Sequence, residues 1–245
     1  MKQIIFKILP IVVALVAVTS CGDSAQKSDG KQQSGNLTES AENVKPSTEV
    51  SGDAGIQANV GDNISHTDWE PDKATSVTFD KFPATLAEWK EMQKQLGGEP
   101  QGAVALQVMA FELYRNNRAD GEQALSLNNT STNYNSTVER LREMMGKDKY
   151  YARPYIARAM LRGATPENGY ETQSPYIIDM KVDPNKEYQE SQLLKGTVIY
   201  LLIDSKGWDT NWRGVEVVKP EGSDYCVVSN CPAMYTQCKE AKTSN

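Results

Sequence analysis

The densest run of residues able to hold a ligand is Lys206-Gly207-Trp208-Asp209-Thr210-Asn211-Trp212-Arg213. Two indoles in one polar loop can form a stacking platform, with Asp209, Asn211 and Arg213 supplying oriented hydrogen bonds. The bland alternative is that one Trp closes the end of the core and the loop is structural. The chain holds a single His, His66, in a low-complexity stretch. Its expected place is a tether, where it would be inert. A folded part without His excludes Ser-His-Asp and Cys-His catalysis and the usual His-based metal sites. What remains is carboxylate, Lys, Tyr or Ser chemistry. Glu167, Asp204 and Asp209 are acids that could work as a pair on a glycosidic bond, although acids are numerous enough for some pair to arise as solvated surface charge. No metal or cofactor is expected.

The amino-terminal end has the form of an export signal. Lys2 and Lys7 precede an apolar run, Ile8 to Val18, that is too short to span a bilayer. It ends in Val18-Thr19-Ser20-Cys21, which resembles a bacterial lipobox. The resemblance implies removal of residues 1–20 and lipidation of Cys21. Each buried methylene contributes about 0.8 kcal/mol, so two or three acyl chains would anchor the protein firmly. The expected location is the bacterial cell envelope, with the outer membrane preferred over the inner.

Residues 21–74 follow as an acidic tether rich in Ser, Gly, Asn, Asp, Glu and Thr. Such a composition buries too little apolar surface to offset chain entropy. The chain's formal net charge is −6, and most of the acid excess lies before residue 75. The remainder has no basic surplus, which argues against nucleic acid as a partner.

Residues 75–245 are expected to form one α+β domain. Thr85-Leu86-Ala87-Glu88 is a capping box opening a helix that Gly97-Gly98 ends. Pro100 suits the first position of the next helix, and Ala103 to Tyr114 is apolar nearly all round, as in a buried central helix. A shorter helix is expected over 120–127. Ser136-Thr137-Val138-Glu139 reads as a second capping box, and Pro154 as the start of a short helix through Met160. The Tyr150, Tyr151 and Tyr155 group is expected to serve packing.

Strands follow. Tyr176 to Val182 alternates, Thr197 to Ile203 reads as a central strand, and Val215–Val218 with Tyr225–Val228 reads as a hairpin. Residues 186–195 are ambiguous between strand and helix. The expected architecture is a set of amino-terminal helices on a carboxy-terminal, curved antiparallel sheet of about four strands. Cys226 reads as a small buried hydrophobe, whereas Cys231 and Cys238 could pair and pin the carboxy terminus.

Gly163-Ala164-Thr165-Pro166-Glu167-Asn168-Gly169-Tyr170, followed by Ser174-Pro175-Tyr176, resembles a family of bacterial lipoproteins with no assigned activity. That resemblance implies a domain over most of 75–240. The helix-then-sheet order also looks similar to the cone-shaped nuclear-transport-factor-like fold, which often holds a pocket. Three functions are consistent with these features. The first is a membrane-anchored binding module for a glycan, a peptide or an envelope protein. The second is a carboxylate-dependent hydrolase of an envelope polysaccharide. The third is a carrier for a hydrophobic ligand inside the cone.

Overall fold

The computed structural model describes residues 55–146 and 152–242. Cys21, Tyr150 and Tyr151 lie outside the described residues. The order of elements is β1 (Ala58–Val60), β2 (Ala74–Phe79), α1 (Leu86–Leu96), α2 (Pro100–Asn116), α3 (Arg118–Asn128) and α4 (Ser131–Met144). A 3-10 turn, Arg158–Met160, precedes β3 (Tyr176–Val182), β4 (Gln189–Ser191), β5 (Gly196–Asp204), β6 (Trp212–Val218) and β7 (Val227–Asn230). The fold is α+β: among the described residues, four helices pack with a curled, seven-stranded antiparallel sheet.

The helices start and stop where local chemistry directs. Thr85 caps α1 by accepting from the Glu88 N–H at 3.2 Å, and Glu88 reaches back to the Ala84 N–H at 2.6 Å. Pro100 begins α2, whose side chains from Pro100 to Tyr114 are all buried. Asn117 ends α2 and caps α3, accepting from the Asp120 N–H at 3.3 Å. At Gly121 a Cβ would stand 2.2 Å from the Cα of Tyr114, so only glycine allows α3 to cross α2 this closely.

Helix α4 starts earlier than its apparent capping box. Thr130 is the cap, and Ser136 lies inside the helix, its hydroxyl bonded back to the Thr132 carbonyl at 3.2 Å. After Pro154 the chain forms turns and the 3-10 segment, with no α-helix before Met160.

The sheet order is β1-β2-β3-β5-β6-β7, with β4 paired to β5 as a side branch. Two of its strands precede the helices. The Thr-Ser-Val-Thr-Phe run of β2 alternates, buries Val77 and Phe79, and pairs with β3 in the register Val77↔Ile178. β5 lies between β3 and β6, and Leu201 faces Val182 on one side and Val215 on the other. β4 resolves residues 186–195 as a short strand and a turn into β5.

The folded part therefore begins before residue 75. Ile56 and Ile64 join the core, β1 pairs with β2, and the Trp69 indole donates to the Asp183 carbonyl at 3.1 Å. A few large side chains among polar neighbours suffice, because the sheet edge supplies partners for the backbone.

Candidate functional site

The two tryptophans of the 206–213 loop have different surroundings. Trp208 is 3% exposed and donates from Nε1 to the Thr236 carbonyl at 2.5 Å. Its ring carries the Arg213 guanidinium, 5.5 Å from the centroid. The backbone pins the loop further, through Ser205 N–H to the Asn211 carbonyl at 2.7 Å and Lys239 N–H to the Gly207 carbonyl at 2.8 Å. Trp212 is 39% exposed and starts β6, with the Lys181 ammonium 4.6 Å from its ring centroid. Asp209 pairs with Lys239 at 3.2 Å, and Asn211 is exposed. Trp208 thus closes the core, and only Trp212 presents ring surface outward. A joint platform needs both faces free, and tight loop closure has turned Trp208 inward.

The acids that could have formed a hydrolytic pair are each neutralised by a separate lysine. Glu167 pairs with Lys242 at 2.8 Å, Asp204 with Lys206 at 3.1 Å and Asp209 with Lys239. The Lys242 ammonium holds the Glu167 carboxyl below its ordinary value.

All three described cysteines are free and buried. The Cys231–Cys238 bridge is not formed, because the two thiols face different parts of the core. Cys231 Sγ meets Gln107 Nε2 at 3.5 Å, Asn133 Nδ2 at 3.4 Å and Thr137 Oγ1 at 3.6 Å, between α2 and α4. Cys238 Sγ lies 3.9 Å from the Tyr170 hydroxyl. The tail is tied down by aromatic residues instead. Tyr155 and Tyr170 stack with centroids 4.7 Å apart, and their hydroxyls bond the backbone of Ala241 and Lys239. Cys226 is buried with its thiol on the Gly98 carbonyl at 3.4 Å, and burial pushes it up to about 12.

A concave feature lies elsewhere. A groove of about 710 Å³ runs between three segments remote in sequence. They are His66-Thr67 between β1 and β2, the stretch from Glu190 in β4 to Ile199 in β5, and the Lys219–Ser223 loop joining β6 to β7. Most of its lining residues are of polar or charged type. His66 Nε2 lies 3.3 Å from Glu99 Oε2, the Thr197 hydroxyl donates to Glu190, and Lys195, Lys219 and Glu221 complete the charged set. β4 forms one wall. Its inner edge pairs with β5, and no second strand pairs with its outer edge among the described residues.

His66 therefore belongs to the folded part, on the rim of this groove. The composition of 55–74 hid it, and Ile56, Ile64 and Trp69 were the signal that this stretch folds. Lys195 carried no signal beyond the turn-like pair Lys195-Gly196. The Pro-Glu-Gly-Ser connection was legible as a turn, though not as a groove wall.

The family described as "Domain of unknown function (DUF6935)" matches residues 81–242. The chain belongs to that family. The DUF6935 match runs from α1 to beyond β7 and includes the Lys195 and Lys219 walls of the groove, while β1, β2 and His66 precede it. No curated protein and no solved structure matches the chain.

Proposed function

We propose that this protein is a lipid-anchored component of the bacterial cell envelope whose DUF6935 domain holds an extended peptide in the groove beside β4. The anchor reading rests on the charged and apolar start and on Cys21 at the end of the lipobox-like motif. The outer membrane is the preferred location, and the block from Gly163 to Tyr170 adds the likeness to bacterial lipoproteins.

The observation that carries the peptide reading is an open groove lined by β4, β5 and the Lys219–Ser223 loop, together with an outer edge of β4 to which no strand is paired among the described residues. Such an edge offers backbone N–H and C=O groups to an added strand, while the walls select side chains. Other occupants find less support. Sugars are commonly held by ring stacking, and the lining residues include no Phe, Tyr or Trp. A carrier needs room inside the fold, where the side chains of α2 from Pro100 to Tyr114 are all buried. The acids expected for a hydrolase, Glu167, Asp204 and Asp209, do not line the groove and are each paired with a lysine.

Selection from a random heptapeptide pool tests the reading, with the full chain as bait. Enriched peptides should bind the native chain and lose binding when Thr197→Arg fills the groove. Peptides that bind the variant equally well, or a pool from which no peptide is enriched, would overturn it. Labelling of the native chain, but not Cys21→Ala, with an alkynyl fatty acid tests the anchor.

A further inference from the structure

Two lysines of the groove lack the carboxylate partner that most described lysines have. Among the described residues, every lysine except Lys90, Lys195 and Lys219 has a carboxylate partner. Lys90 stands exposed on α1. Lys195 and Lys219 line the same groove.

They come from different loops, and the backbone sets them side by side. The Glu221 N–H donates to the Lys195 carbonyl at 2.7 Å. Between them Gly196 leaves no room for a side chain, since a Cβ there would stand 2.4 Å from the Lys219 carbonyl oxygen. Lys195 itself has φ +52°. Glycine or asparagine adopts that left-handed backbone more readily, so a lysine here keeps an ammonium at the groove against a local backbone preference. No neighbouring acid forms an ion pair with either lysine: Glu190 accepts from Thr197, Glu99 engages His66, and Glu221, on the same groove, is exposed.

We propose that Lys195 and Lys219 form a carboxylate clamp, two ammonium groups closing on one carboxylate of the bound peptide. This rests on the peptide reading above and narrows it to peptides with a free carboxy terminus or an acidic side chain. Two charge-assisted hydrogen bonds on one carboxylate discriminate strongly against its neutral amide.

The test uses the full chain in two arms. In the first, lysines are reductively methylated with ¹³C and acetate is titrated in. The signals of Lys195 and Lys219 should move together along one saturating curve while Lys90 stays still; equal drift of all three overturns the clamp. In the second, groove-selected peptides are made as free acids, as carboxy-terminal amides, and with internal Asp and Glu changed to Asn and Gln. Removing the decisive carboxylate should weaken binding about tenfold, and which version loses affinity tells a terminal from a side-chain carboxylate. Lys195→Gln with Lys219→Gln should cost the acid form as much and the amide nothing. Lys195→Gly, which suits the backbone, should lose affinity without loss of fold. Peptides that bind regardless of charge would refute the clamp and leave the groove reading standing. A clamp seen with acetate but no bound peptide would refute the peptide reading and leave the clamp.

Discussion

The Glu221 N–H donates to the Lys195 carbonyl at 2.7 Å, tying the β6–β7 loop to the turn between β4 and β5. This bond joins two walls of the groove, and Gly196 is what lets them meet. The Gly196→Ala variant must push a methyl against the Lys219 carbonyl, which stands 2.4 Å from the Cβ position. Overpacking of this kind costs about 1–3 kcal/mol. Urea unfolding should show it as a lower midpoint at unchanged slope. Lys195→Gly should move the midpoint the other way, because it relieves a positive φ. Equal stability of the Gly196→Ala variant and the native chain would mean the loops are not locked.

The tryptophans of the 206–213 loop should separate by stability. Trp208→Ala removes a buried ring, its bond to Thr236 and the stack under Arg213. A loss of about 3–5 kcal/mol is expected. Trp212→Ala removes an exposed ring with one lysine contact, for which about 1 kcal/mol or less is expected. Denaturation of the two single variants checks this, and comparable losses would restore the view of the two rings as one unit.

Alkaline stability should report the buried thiols. Burial raises Cys226 from 9.0 to about 12 and Cys238 to about 11. The native state thus keeps protons that the unfolded chain releases. The stabilisation from these thiols is complete below about 9 and is lost as pH rises toward 11 and 12. The unfolding midpoint should fall over that window, and Cys226→Ala should flatten the fall. At pH 8, iodoacetamide should modify Cys226, Cys231 and Cys238 slowly in the native chain and fast in denaturant. Fast native modification of Cys226 would show that its site opens readily.

The cap of α1 has an acid limb. The Ala84 N–H holds the Glu88 carboxyl below its ordinary 4.5, against an opposing contribution from burial. A carboxyl lowered by folding stabilises the protein above its unfolded value and loses that contribution as pH falls through the folded value, below 4.5. Glu88→Gln should therefore matter at neutral pH and become silent in strong acid. Thr85→Ala should cost about 1 kcal/mol at either pH, because its hydroxyl does not titrate. Parallel pH profiles for the two variants would contradict the assignment.

Legibility followed the range of the interactions. Helices α1 and α2 and strands β3, β5 and β6 could be read because their signals are local: Thr85 with Glu88, Pro100, and the alternation around Ile178. Helix α4 was misplaced because Ser136 and Glu139 imitate a cap inside a helix that Thr130 already opens. β1 and β2 were missed because their order depends on distant partners such as Val77 with Ile178. The groove is the extreme case. His66, Lys195 and Lys219 share no local pattern, and only the fold brings their segments together. The tryptophan loop, by contrast, was conspicuous in composition, yet burial of Trp208 withdraws half of it.

Hydrogen exchange of the full chain with and without a groove-selected heptapeptide tests the central claim most directly. The account predicts that protection rises at residues 189–192 and 195–197 and in the 219–223 loop, with the 206–213 loop unchanged. Protection confined to 206–213, or spread over the helices with β4 untouched, would contradict it.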